Sequence, residues 1–165
     1  MKQLITVFCL AMLLNACSST AYYIVRHAEK ATAAPGMSND VPLTDKGKDR
    51  ASKLKDLLSI KNIGYIFSTQ TIRTTSTAKP LSEAISIPIE IYNPRDTSDV
   101  FINQLKAIQK KNVLIVGHSS TVDDLVNKLT GKQLLSDLPD SSYSNLFIVK
   151  KAGRKYKFSR KIYEP

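Results

Sequence analysis

Short runs of apolar, β-branched and aromatic residues alternate along this chain with longer stretches whose apolar residues recur every three or four positions. That alternation restricts the fold more than any other feature. Residues 21–25, Ala-Tyr-Tyr-Ile-Val, read as a buried strand. Leu43-Thr44-Asp45-Lys46-Gly47 opens a helix with Thr44 as N-cap, and Ala51, Leu54, Leu57 and Leu58 give it one apolar face. Asn62-Ile63-Gly64 stops it, and residues 65–68 form a second strand. A helix over 71–85, kinked at Pro80, leads to a third strand over 87–92, which Pro88 places near a sheet edge. A helix over 100–110, a strongly apolar strand over 113–116 and a helix over 121–129 follow, the last closed by Gly131. The tail holds two more strands, 146–150 and 156–163, around a Gly153-Arg154 turn. Such alternation predicts an α/β layered fold with a mostly parallel central sheet. A chain of 165 residues supports one such core, not two.

Parallel sheets collect ligands outside the carboxyl ends of their strands, so the residues at those ends carry the functional argument. The first strand ends in Arg26-His27-Ala28-Glu29-Lys30. The second ends in Ser68-Thr69-Gln70, with Arg73 one turn into the next helix, and the strand over 113–116 ends in Gly117-His118-Ser119-Ser120. The chain has two histidines, and both stand immediately after predicted strands. Two guanidinium forks match phosphate oxygens in charge and geometry. A neutral imidazole is a nucleophile toward phosphorus, and a second imidazole adds a hydrogen-bond donor. Together they would stabilise the charge of a transferring phosphoryl group.

Arg26-His27-Ala28-Glu29 resembles the Arg-His-Gly signature of the histidine phosphatase superfamily, with Ala28 in place of the glycine. Leu43-Thr44-x-x-Gly47 resembles its helix-opening motif, Ser68-Thr69-Gln70-Thr71-Ile72-Arg73 its second-arginine motif, and Gly117-His118-Ser119-Ser120-Thr121 its second-histidine motif. The resemblance implies a three-layer phosphoglycerate-mutase-like fold and a metal-independent phosphomonoesterase without organic cofactor. It makes His27 the phosphate-accepting nucleophile, with Arg26, Arg73 and His118 clamping the phosphoryl group of a small phosphorylated substrate. It does not place the proton donor, for which Glu83, Asp96 and Asp99 are the candidates; Glu29 is expected to brace its loop. Small protein-phosphohistidine phosphatases are similar in size, and a catalytically weak phosphate-binding protein of the same fold is the other reading.

The first seventeen residues stand apart. Lys2 precedes an eleven-residue stretch over 4–14 broken only by Thr6, which is too short to span a bilayer. Leu14-Asn15-Ala16-Cys17-Ser18 resembles a bacterial lipobox, which implies a signal peptide over 1–17, a lipidated Cys17 and a catalytic domain over 18–165. In a Gram-negative host the serine after the cysteine implies the periplasmic face of the outer membrane, with the membrane as partner through the N-terminal lipid. Cys9 and Cys17 are the only cysteines, so the expected mature domain has no thiol left for a disulfide, a nucleophile or a metal. The net charge of +10 suits an anionic surface or anionic substrates. No aromatic-basic interleaving points to nucleic acid.

Two other chemistries share these residues. Gly117-His118-Ser119 resembles a nucleophile elbow, but no histidine follows Ser119 in the chain, as that triad order requires. His27, Glu29 and His118 could ligate a metal, although two nearby arginines would repel a cation.

Overall fold

The computed structural model describes residues 19–36, 38–94 and 99–165. The expected signal peptide and Cys17 lie outside the described residues, as does Asp96. Six strands, β1 (Ser19–Arg26), β2 (Ile63–Ser68), β3 (Ile89–Ile91), β4 (Asn112–Gly117), β5 (Asn145–Ala152) and β6 (Lys155–Ile162), form one sheet in the order β3-β2-β4-β1-β5-β6. Among the described residues four helices, α1 (Asp45–Leu58), α2 (Ile72–Ile85), α3 (Asp99–Ala107) and α4 (Ser119–Thr130), cover it.

Alternation along the central strands explains the layering. Tyr22 and Ile24 of β1, with Val113 and Ile115 of β4, pack toward Leu105 of α3 and Leu125 of α4. Tyr23 and Val25, with Leu114 and Val116, pack toward Leu54 of α1 and Leu81 of α2. Because β1 and β4 are buried on both faces, they read in sequence as continuous apolar runs. Thr44 caps α1 by accepting a hydrogen bond from the Gly47 amide (3.1 Å). The second helix continues through Pro80.

The expectation of a mostly parallel sheet is corrected. β3, β2, β4 and β1 run parallel, but β5 pairs antiparallel with β1 and β6 antiparallel with β5, so the sheet is mixed. The cause is local. Ala152 faces Lys155 across the two residues Gly153 and Arg154, and Gly153 adopts φ +58°, the left-handed conformation such a tight hairpin requires. Two strands joined so closely can only be antiparallel. The first strand also begins at Ser19, two residues earlier than its apolar pattern indicates, because its outer end pairs with Thr20↔Lys151 and Ser19↔Ala152.

Candidate active site

The parallel half of the sheet brings the three strand ends together. Arg26 of β1 stands beside Gly117 of β4, and Ser68 of β2 beside Val116. The His27 amide donates to the Gly117 carbonyl (2.9 Å), which extends the pairing one residue into the site. The rings of His27 and His118 meet edge to face with centroids 5.5 Å apart.

The hydrogen bonds of His27 determine its chemistry. Its Nδ1 lies 2.8 Å from the Ala28 carbonyl oxygen. A carbonyl only accepts, so Nδ1 carries the proton and Nε2 keeps its lone pair. Burial pushes the pKa of His27 down to about 4, and the charges of Arg26 and Arg73 push the same way. The ring is therefore neutral at physiological pH, as a nucleophile must be. His118 is also pushed down to about 4 by burial and by the two arginines. Its Nε2 contacts the Thr69 hydroxyl at 2.9 Å, and that hydroxyl donates onward to Thr74 (3.0 Å). The Thr69 oxygen is thus free to accept from His118.

Arg26 is 4% exposed. Its guanidinium donates to the carbonyls of Pro139 (3.3 Å) and Asp140 and pairs with the Asp140 carboxylate (3.2 Å). The Tyr143 ring stacks on it 4.5 Å away. Arg73 donates to the Asn39 carbonyl (3.2 Å) and to Asp40 (3.4 Å). Asp40 also accepts the Ile72 amide at the start of α2 (2.8 Å), so one carboxylate fixes both the helix and its arginine. Among the described residues, Nε of Arg26 and Nε of Arg73 are buried donors without a hydrogen-bond partner. Orphaned cationic N–H groups are costly in a folded protein unless a ligand satisfies them. An oxyanion held between two guanidinium groups is the chemistry that does so.

The loop after His27 is braced from behind. Glu29 forms a two-pronged ion pair with the buried Arg50 (2.8 and 2.8 Å), which also donates to the Tyr163 carbonyl (2.7 Å) and pairs with Glu164 (3.1 Å). Glu29 thus faces Arg50, not the two histidines. The Glu29 carbonyl accepts from the Thr44 amide (2.9 Å) and lies so near α1 that a Cβ on Gly47 would sit 2.2 Å from it. Thr77 accepts from the Ala28 amide (2.9 Å) and donates to the Arg73 carbonyl (2.7 Å), joining the two arginine segments. Ala28 is fully buried with Leu43 and Ala51, where its methyl group fills space a glycine would leave empty.

Arg26, His27, Arg73 and His118 therefore converge, but the proton-donor candidates do not all join them. Glu83 lies ten residues beyond Arg73 on the same helix, roughly 15 Å along its axis. It is exposed and paired with Lys79. Asp99 opens α3, and its side chain is not among those described. The acids beside the arginines are Asp40 and Asp140, which carry no motif and reach the site only through the loops over 31–42 and 131–144. Asp140 is held below the usual carboxylate range by a hydrogen bond from Ser119 (2.9 Å) and by Arg26, so it stays ionised. That bond also occupies the Ser119 hydroxyl, and among the described residues no histidine hydrogen-bonds it as the base of an esterase nucleophile would. Tyr143 and Arg50 were likewise hidden in sequence: an isolated tyrosine and a helix arginine carry no periodic signal.

A family model described as the histidine phosphatase superfamily (branch 1) matches residues 22–93, the stretch that carries Arg26, His27 and Arg73 but not His118. No curated protein matches the sequence significantly. Solved structures share the fold. A candidate phosphohistidine phosphatase, SixA, from Agrobacterium tumefaciens is 22% identical with a TM-score of 0.65, covering 88% of this chain and 98% of that one. The protein histidine phosphatase SixA in complex with tungstate is 16% identical with a TM-score of 0.66, covering 86% and 96%. A mycobacterial glucosyl-3-phosphoglycerate phosphatase is 10% identical with a TM-score of 0.66, covering 87% and 98%. At these identities the likeness is one of fold.

Proposed function

We propose that the chain is a member of the histidine phosphatase superfamily and hydrolyses phosphate monoesters through a phosphohistidine on His27. The observation that carries this reading is the pairing of a tautomer-locked, neutral His27 with two buried guanidinium groups whose Nε donors lack partners. Nε2 of His27 attacks phosphorus, the P–O bond to the leaving group breaks, and the leaving oxygen takes a proton. Water then attacks the phosphohistidine, releasing phosphate and restoring the ring. Arg26 and Arg73 meet the charge on the equatorial oxygens, with no metal or organic cofactor in the scheme. An approaching phosphate dianion raises the pKa of His118, so substrate itself promotes a third cationic donor.

No described carboxyl with a raised pKa faces His27, while Asp140 is held ionised. That favours leaving groups needing little protonation, such as aryl phosphates, acyl phosphates and phosphoramidates, a class that includes phosphohistidine. The lipobox resemblance supports a substrate outside the cytoplasm, an envelope or scavenged phosphoester. Hydrolysis of p-nitrophenyl phosphate by the wild type and by His27→Ala tests the proposal. Wild-type turnover should fall to background in the variant, with an acid-labile, alkali-stable phosphoprotein seen on rapid quench of the wild type only. Equal rates from both proteins would refute it.

A further inference from the structure

We propose that the end of the molecule opposite the two histidines is a docking surface for an anionic phospholipid membrane. Three segments meet there: the loop after α1 (residues 59–62), the connection from α3 into β4 (106–112) and the β5–β6 hairpin (150–157). Together they carry nine lysines and arginines and no aspartate or glutamate. The tertiary structure joins them. Asn62 donates to the Lys110 carbonyl (3.2 Å) and accepts from Lys111 (3.0 Å), Lys151 donates to the Lys106 carbonyl, and Lys106 lies 6.0 Å from the Tyr156 ring. Among the described residues, none of these nine cations is ion-paired with a carboxylate.

The charge is polarised along the strands. Glu29, Asp40, Asp140 and Glu164 lie at the histidine end, paired with arginines. The lysine end is left with uncompensated positive charge, the arrangement an anionic leaflet attracts. Two features favour lipid over an acidic protein or polymer. Ile60, 79% exposed, stands beside Lys61 in the first of these segments and offers the apolar contact that an interfacial site uses. Ser19, where the chain enters β1 from the apolar stretch over 4–14, is at the same end, opposite Ala152. A single lipid chain binds a membrane only marginally, and a polybasic surface is one of the second signals that make the attachment stable.

The orientation that follows deepens the proposed function. β1 runs from Ser19 at the basic end to Arg26 at the site, a rise of roughly 23 Å over its length. With the lysines on the bilayer the catalytic mouth faces the aqueous side, so the substrate is a soluble or protein-borne phosphoester, not a phospholipid headgroup beneath the enzyme. Only this last step rests on the phosphatase reading; the docking surface does not.

The test is sedimentation of the full chain with phosphatidylcholine vesicles, with and without phosphatidylglycerol, neutral vesicles giving the baseline due to the leader. Binding should strengthen on the anionic vesicles and lose that gain in high salt. The triple variant Lys110→Glu, Arg154→Glu, Lys155→Glu should bind anionic vesicles at least about tenfold more weakly. A control, Lys48→Glu, Lys53→Glu, Lys161→Glu, should keep most of the gain. Vesicle-bound wild type should hydrolyse soluble p-nitrophenyl phosphate at its solution rate. Equal binding to both vesicle types, or equal losses in both variants, would overturn the docking surface. Retention on immobilised polyglutamate lost in the first variant, without vesicle binding, would overturn the lipid assignment in favour of an acidic macromolecule. Absence of hydrolysis with lysine-dependent binding intact would count against the phosphatase reading alone.

Discussion

Replacing Gly47 with alanine should disturb the loop that follows His27, through the close approach of a helix to it. Gly47 is the third residue of α1, and on helix propensity alone alanine would stabilise the protein by about 1 kcal/mol. The structure opposes that gain. A Cβ at this position would sit 2.2 Å from the Glu29 carbonyl oxygen. Close carbon–oxygen contacts in proteins begin at about 3.3 Å, so helix and loop must part by about 1 Å. Glu29 is backbone, two residues from His27, and its carbonyl accepts from both the Thr44 amide (2.9 Å) and the Thr44 hydroxyl (3.3 Å). Separation strains those bonds and shifts the segment that aims His27. Overpacking of this kind costs about 1–3 kcal/mol, with about 1 kcal/mol more for a weakened buried hydrogen bond. Set against the propensity gain, the net expectation is a loss of about 2 kcal/mol. A displacement near 1 Å can cost about 100-fold in rate. Urea denaturation and kcat/KM on p-nitrophenyl phosphate measure the two effects. An alanine variant with wild-type midpoint and wild-type kcat/KM would show that the loop does not depend on this close approach, and would refute the reasoning.

Other consequences follow from the same contacts. Arg50→Met leaves the Glu29 carboxylate, a partly buried charge, with only the exposed Lys46 as partner (3.8 Å), and should cost about 3 kcal/mol in chemical denaturation; Arg50→Met with Glu29→Met should recover part of it. Burial holds the folded-state pKa of His27 near 4, below the unfolded value near 6.5. Its contribution to stability is therefore present above pH 6.5 and is lost as pH falls through about 4, on the order of 2 kcal/mol after allowance for solvent at the cleft. The pH dependence of thermal unfolding should flatten across that window in His27→Gln, and an unchanged slope would contradict it. Asp140→Asn keeps the hydrogen bonds to Ser119 and Arg26 but removes a negative charge beside the site. Inorganic phosphate should then inhibit a few-fold more tightly, and weaker inhibition would mean that Asp140 orders Arg26 more than it repels the ligand.

Local signals in the chain were enough for most of the elements and for the four convergent side chains. The apolar runs of β1 and β4, the Thr44 cap and the amphipathic face of α1 all act over a few residues, so they are written in neighbouring letters. Arg26, His27 and His118 were legible because strand ends in a parallel sheet must gather on one side, wherever the rest of the chain goes. The Gly153-Arg154 turn implied that β5 and β6 oppose each other, but the direction of β5 against β1 was not legible, since an apolar run specifies burial without specifying orientation. Nor were Asp40, Asp140, Tyr143 and Arg50, which act across separations of 21 to 117 residues in sequence and have no meaning until the loops close. The basic pole belongs with them. The sequence determined that this chain is strongly cationic, but only the tertiary structure decided that Lys61, Lys106, Lys110 and Lys111 meet the basic β5–β6 hairpin at one end, while Arg26 and Arg73, paired with Asp140 and Asp40, flank the histidines at the other. Net charge is a sum over the chain, whereas the field that a ligand or a membrane meets depends on where each charge is held.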